Sequence, residues 1–341
     1  MTPAWLHVAR CDAPSANMAL VRGARPLLVD SGFGHDPRRT EAWLRSLGVE
    51  PGELEFVVNT HYHADHVGGN YDLQAGHGIP VAAHAWDAAI VNARHPEACA
   101  ARWLDQPVRP YAVDKPLADG DVLDAGGPQL LVVHTPGHTL GHVALFEPEE
   151  RVLLAGDLVH EGDVGWLNPY REGVASIALA LASVERLAAL DARFAVSGHG
   201  PPMRDPARSL AVAHDRYTAW LDHPDRAAWH AVKRGFSYAL MTRGGIPRDA
   251  VRTFLLSQPW FCDLARHGLR TEPADLVESL CAELVRAGAA AWRDGVLTPL
   301  APHEPLPPGW PAGPREPAGW PSTTSAARAS AAPRSSAPSP G

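Results

Sequence analysis

Through its first two hundred residues the chain alternates short apolar runs with polar breaks. Phe56-Val57-Val58, Leu130-Leu131-Val132-Val133, Val152-Leu153-Leu154-Ala155 and Phe194-Ala195-Val196 are the clearest runs. They are short, bounded by turn-forming residues and free of a 3.6-residue period, which predicts buried strands. Met18-Ala19-Leu20-Val21-Arg22 and Pro26-Leu27-Leu28-Val29, separated by a turn at Gly23, read the same way within a strand-rich segment 4–33, and so does 142–147. A helical period appears over 40–47, with Trp43, Leu44 and Leu47 on one face, over 86–93, and over the long apolar stretch 173–190, expected as a buried helix. Segment 94–116 is mixed and aromatic, with Trp103 and Tyr111. Strands interleaved with helices give an α/β class.

The pattern changes near residue 205. Asp205-Pro206 is a helix start, because aspartate caps and proline is tolerated at the first helical position. From there to about 300 the period is mostly helical. Thr271-Glu272-Pro273 opens a helix with Leu276, Val277, Leu280, Leu284 and Val285 on one face, and Gly288 ends it. Two strand-like stretches, 290–293 and 296–298, flank Asp294-Gly295, a strong hairpin signal. Helix, helix and hairpin predict a winged-helix-like module. Its candidate recognition helix, 273–287, is acidic around Glu272, Asp275, Glu278 and Glu283, so it is read as a structural or substrate-covering appendage. The last stretch, 301–341, holds 11 of the 33 prolines and shows no apolar period, which predicts a disordered tail. Trp310 and Trp320 lie in that tail, each within Gly-Trp-Pro. Three parts are expected: 1–204, 205–300 and 301–341.

The chemistry concentrates directly after one of the runs. His61-Tyr62-His63-Ala64-Asp65-His66 puts four potential metal ligands within six residues. Imidazole and carboxylate bind zinc and other borderline divalent cations. So short a loop does not readily turn all four onto one ion, so the spacing suggests two metals side by side. His138, Asp157 and His199 follow three more apolar runs, each beside a glycine that lets the backbone turn sharply. Ligands at successive strand ends converge on one sheet edge. His77, His84, His134 and His214 are read as structural, and His142 as a support of the loop.

This series, His61-x-His63-x-Asp65-His66, then His138, Asp157 and His199, resembles the ligand set of the metallo-β-lactamase superfamily over roughly residues 15–205, with Asp30 matching an early aspartate of that superfamily. The resemblance implies an αββα sandwich with the metals at one edge of the paired sheets. It implies that His61, His63 and His138 hold one cation, that Asp65, His66 and His199 hold a second, and that Asp157 bridges them. Asp30 would orient ligands. Two Zn2+ per chain are expected, with Fe or Mn as substitutes.

A water shared by two such cations loses a proton near neutral pH. The expected activity is therefore that of a hydrolase, in which a metal-bridging hydroxide attacks an ester-like bond, a lactone or an acyl thioester, in a small molecule. Acyl-homoserine lactonases carry a tyrosine shortly after the bridging aspartate; here the corresponding position is His160, and Tyr170 is the candidate phenol. Asp65 is the candidate proton carrier to the leaving group. Glyoxalase II enzymes use basic residues near a C-terminal helical domain, for which Arg171, Arg204 and Lys233 are candidates. The interval from Asp157 to His199 leaves no room for the insertion of nucleic-acid-processing members. The alternative is an iron-dependent redox enzyme, persulfide-dioxygenase-like, on the same fold.

Charge and composition narrow the partners. The 341 residues carry a formal charge of −8, so no general nucleic-acid footprint is expected. Cys11, Cys99, Cys262 and Cys281 are widely spaced and read as free thiols. The start of the chain shows no signal peptide and no run approaches a membrane span, so a cytoplasmic location without membrane contact is expected. Nothing in the sequence speaks to oligomeric state.

Overall fold

The computed structural model describes residues 2–306 apart from 96, 102, 105, 107 and 305. The expectation of a disordered tail, with Trp310 and Trp320 in it, falls largely outside the described residues. Two sheets face each other. The first runs β1 (Leu6–Ala9), β2 (Met18–Val21), β3 (Leu27–Val29), β4 (Phe56–Val58), β5 (Val81–His84) and β6 (Lys115–Leu117), in that spatial order. Its first two pairings are antiparallel and the rest parallel. The second contains β7 (Val122–Asp124), β8 (Gln129–His134), β9 (Val143–Glu147) and β10 (Val152–Leu154). After a small hairpin, β11 (Val159–His160) and β12 (Asp163–Val164), the sheet gains β13 (Phe194–Val196), and its order is 13-10-9-8-7.

Each apolar run is buried on both faces, and its residues alternate between two cores. Leu27, Val29, Phe56, Val58, Leu130, Val132, Val143, Leu145, Val152 and Leu154 meet between the sheets. Leu28 and Val57 point the other way, toward α1 (Pro37–Ser46), where Leu44 packs on them. Val133, Ala144, Phe146 and Leu153 point outward on the second sheet, under α5 (Ala175–Ala189) and α6 (Pro206–Asp222). This period of two explains why unbroken apolar runs make strands here. Helices α2 (Ala64–Val67), α3 (Asn70–His77) and α4 (Ala85–Asn92) lie between strands of the first sheet in chain order. The result is an αββα sandwich.

One boundary lies later than expected. Helix α6 belongs to the sandwich: its Leu210, Ala213, Tyr217 and Trp220 join the core under the second sheet, and the Tyr217 hydroxyl donates to Leu158 O at 2.8 Å. A separate core begins with α7 (Pro224–Arg243) and includes α8 (Arg248–Ser257), α9 (Pro259–Asp263) and α10 (Pro273–Arg286). Strand β14 (Ile246–Pro247) pairs with β16 (Val296–Pro299), which pairs with β15 (Ala290–Arg293). Asp294 and Gly295 sit at φ 48° and 79°, as a tight two-residue hairpin turn requires. Among the described residues no helix is long and apolar enough to cross a membrane.

Candidate metal centre

Strands β3 and β4 run parallel, and β8, β10 and β13 share one direction in the second sheet. The loops leaving these five strands carry Asp30, the 61–66 motif, His138, Asp157 and His199. All seven ligand candidates come together. The nitrogens His61 Nε2, His63 Nδ1 and His138 Nε2 form a triangle with edges of 3.0, 2.9 and 3.0 Å. Beside it, His199 Nε2 lies 3.1 Å from Asp65 Oδ2 and 3.3 Å from Asp157 Oδ2, and His66 Nε2 lies 3.5 Å from Asp157 Oδ1. Asp157 Oδ2 is also 3.8 Å from His138 Nε2, so this carboxylate sits between the two groups.

The hydrogen-bond network directs protons away from the centre. His61 Nδ1 donates to the Thr60 hydroxyl at 3.1 Å, and that hydroxyl donates to Asp30 Oδ2 at 2.8 Å. His138 Nδ1 donates to Trp166 O at 2.5 Å. The inward nitrogens of both rings are therefore lone pairs, facing His63 Nδ1 and each other. Lone pairs at 3 Å repel unless a cation lies among them, and nitrogens in a tetrahedral zinc site with bonds of ~2.0–2.1 Å are spaced at about this distance. His66 Nε2 and Asp157 Oδ1 are buried and have no hydrogen-bond partner among the described residues. The donor set, imidazole and carboxylate without thiolate, fits zinc, iron or manganese.

Outer partners hold this arrangement. Asp30 stands at φ 58°, a left-handed conformation that aspartate tolerates better than most residues, and it accepts from Thr60 N at 2.8 Å and meets His66 Nδ1 at 2.7 Å. The His142 ring takes Asp157 N at 2.9 Å on Nε2 and contacts the Thr135 hydroxyl at 2.8 Å through Nδ1. Gly198 has no alternative: a Cβ there would overlap Asp157 Oδ1 and His66 Cε1.

Burial drives His61 and His63 far below the usual imidazole range, and neighbouring imidazoles add to the effect. Burial also lowers His138, against the pull of Asp157. For His199 burial opposes the charge, yet Asp157 and Asp65 outweigh it and raise the group to about 9. His66 is raised in the same way by Asp157, Asp30 and Asp65. Burial disfavours the Asp157 carboxylate, but His199 and His66 hold it well below the usual range. Burial thus disfavours charge on His61, His63 and His138, while the acidic neighbours of His66 and His199 favour it, so a cation taken up by those two rings would displace protons.

The cluster opens into a cavity of about 390 Å³. His63, Asp65, His138, Asp157, His160 and His199 form its floor, while Leu104, Trp166, Met241, Phe254 and Trp260 make an apolar wall. His160 is buried there with Nδ1 unpartnered among the described residues, and burial lowers it to about 3. Tyr170 is not brought in. Asn168 Oδ1 accepts from Tyr170 N and Arg171 N, which turns the loop so that the Tyr170 ring, 43% exposed, stacks on His267 with centroids 4.8 Å apart. The phenol that does line the cavity is Tyr238, on α7, whose hydroxyl donates to Pro14 O at 3.1 Å. The basic candidates also differ. Arg171 is held by Glu97, Lys233 lies 3.4 Å from Glu283, and neither they nor Arg204 lines the cavity, whereas Arg10, Arg234 and Arg243 do. Tyr238 and Arg234 are one helical turn apart on α7, a spacing visible in the sequence but attached to no motif.

Comparison with known proteins gives a consistent result. The family model described as "Metallo-beta-lactamase superfamily" matches residues 12–199. Acyl-coenzyme A thioesterase MBLAC2 of Homo sapiens is 34% identical over 179 residues, 46% of this chain and 62% of that protein. Hydroxyacylglutathione hydrolase of Rhodospirillum rubrum is 30% identical over 132 residues, 39% of this chain and 44% of that protein. The chain thus spans about three fifths or less of the length of these relatives. Among solved structures, a metallo-beta-lactamase family protein from Thermus thermophilus aligns with TM-score 0.54 at 25% identity, covering 87% of this chain and 99% of that one. A metallo-beta-lactamase from Cronobacter sakazakii aligns with TM-score 0.54 at 19% identity over 66% of this chain and 98% of that one.

Proposed function

The chain belongs to the metallo-beta-lactamase superfamily, and from that premise we propose that it is a metal-dependent hydrolase of acyl thioesters. The observation that carries this reading is the cavity, which sets a His/Asp floor against an apolar wall. An acyl chain lies along Leu104, Trp166, Met241, Phe254 and Trp260 while its carbonyl reaches the floor. Relatives named as an acyl-coenzyme A thioesterase and a hydroxyacylglutathione hydrolase support a thioester over a lactone. The apolar wall favours an alkyl acyl group over a small hydroxyacyl one. Arg10 and Arg234 on the same lining favour an anionic thiol carrier.

In this reading His61, His63 and His138 hold one cation, Asp65, His66 and His199 hold another, and Asp157 serves both. Zinc is the cation we propose, with iron and manganese compatible with the same donors. When bound, such a pair supplies an acidified water and a Lewis acid. The protein's own groups do the rest. Asp30, Thr60 and His142 fix the ligand rings and the Asp157 loop. Asp65, which faces the cavity, is placed to hold the proton that the departing thiolate collects. His160 is a neutral hydrogen-bonding group beside the reacting carbonyl.

The test is thiol release from acyl-coenzyme A of several chain lengths, with lactoylglutathione and an acyl-homoserine lactone in parallel. The proposal expects acyl-coenzyme A to be the best substrate and expects turnover to vanish in Asp157→Ala. Lactone opening at a higher kcat/KM than any thioester would overturn it.

A further inference from the structure

The cavity wall is completed by residues beyond the hairpin. Ala301, Pro302 and Leu306 line it together with His63, Asp65 and Trp166. The stretch from Leu300 to Glu304, of which 301 onward was expected to begin a disordered tail, is instead bonded to three separate parts of the fold. Leu300 N donates to Ala289 O at 2.9 Å beside β15. Residues 13 and 303 form a parallel bridge, and Glu304 N donates to Ala13 O at 2.7 Å. The Glu304 carboxylate is paired with the Arg39 guanidinium of α1, both groups half-buried. Leu306 packs on the cluster that contains Phe33 and Tyr62, the latter lying between two of the ligand histidines.

The arrangement is a strap. It leaves the C-terminal module at β16, crosses to the 10–14 loop, and seats an apolar side chain beside the metal loop. The same 10–14 loop accepts the Tyr238 hydroxyl at Pro14 O, so strap and α7 hold one loop from two sides. Of this stretch, the apolar Ala301, Pro302 and Leu306 line the cavity.

We propose that this strap determines acyl-chain specificity, with Leu306 and Pro302 closing one side of the acyl site and the Arg39–Glu304 pair clamping them in place. The proposal rests on the thioesterase reading of the cavity. Filling the site with Leu306→Trp shortens the longest acyl chain accepted; Leu306→Ala lengthens it. Glu304→Gln releases the clamp and shifts the profile in the same direction as Leu306→Ala.

The experiment measures kcat/KM of the full chain from butyryl- to palmitoyl-coenzyme A, with a thermal midpoint for each variant to confirm folding. One methylene in an apolar site changes kcat/KM by about tenfold or more, so Leu306→Trp is expected to lower the long-to-short ratio at least ~10-fold and Leu306→Ala to raise it. Binding of butyrate to palmitate to the metal-free protein, followed by tryptophan fluorescence, gives a second readout that needs no turnover. There Leu306→Trp is expected to weaken palmitate binding by a similar factor. If wild type hydrolyses thioesters but the folded variants keep its chain-length ratio, the strap proposal is wrong while the thioesterase reading stands. If wild type hydrolyses none, that reading fails and the fatty-acid titration decides the strap alone: unchanged palmitate affinity in Leu306→Trp overturns it.

Discussion

Asp157 is the residue on which both halves of the centre depend. Its two oxygens approach His66, His138 and His199, and His199 and His66 lower its pKa against its burial. Asp157→Ala should lower bound metal in both positions, read by elemental analysis of the purified variant. Asp30 acts one step further out, through His66 and Thr60, and replacing such an outer partner costs about 10–100-fold in metal affinity. Asp30→Ala should show a loss of that size in a competitive chelator titration. Gly198→Ala should also lose metal, since its methyl group would displace the Asp157 carboxylate. The seven ligand candidates were legible because four share one short motif after an apolar run and the other three each follow such a run with a glycine beside them. Tyr238 was not, because a tyrosine in the middle of a helix looks like core; only packing places α7 against the cavity. Tyr238→Phe should cost ~1 kcal/mol of stability through the lost bond to Pro14 and should lower kcat if the phenol contacts substrate.

At the level of elements, double-faced burial makes the strands both readable and fragile. Leu145 is fully buried between the sheets, and Leu145→Ala should cost about 2–5 kcal/mol in chemical denaturation. Short strands such as β11, β12 and β14 have two residues each, too few to show a period, and the sequence pattern misses them. Helix α6 shows the other limit: its cap at Asp205 is plain, with the side chain accepting from Arg208 N at 3.0 Å, but a cap does not reveal which core the helix joins. The loop after β12 carries a buried charge cluster. Burial pushes Glu172 up from the ordinary 4.5 to about 7 despite the nearby Arg171. A carboxyl raised on folding contributes stability that is complete below 4.5 and is lost as pH rises through about 7. Glu172→Gln should therefore match wild type in thermal midpoint near pH 5 and exceed it near pH 8. A lower midpoint at both values would contradict this assignment.

For the molecule as a whole, the sandwich supplies the His/Asp cluster, and the C-terminal module completes with Met241, Phe254 and Trp260 the wall that Leu104 and Trp166 begin. The order of strand-end ligands along the chain pointed to the first. The second required knowing where α7, α9 and the residues after β16 come to rest. Their contacts with the sandwich include Trp166 Nε1 to Ala231 O at 3.1 Å, Trp103 Nε1 to Asp263 Oδ2 at 2.9 Å, and Tyr238 to Pro14. No periodicity encodes such contacts between distant segments. The most direct test of the whole account is thiol release from an acyl-coenzyme A by the metal-free protein titrated with zinc. A two-metal site gives no release without metal and a rise that levels off near ~2 equivalents per chain. Thiol release that is full without metal, or absent at every zinc level, would contradict it.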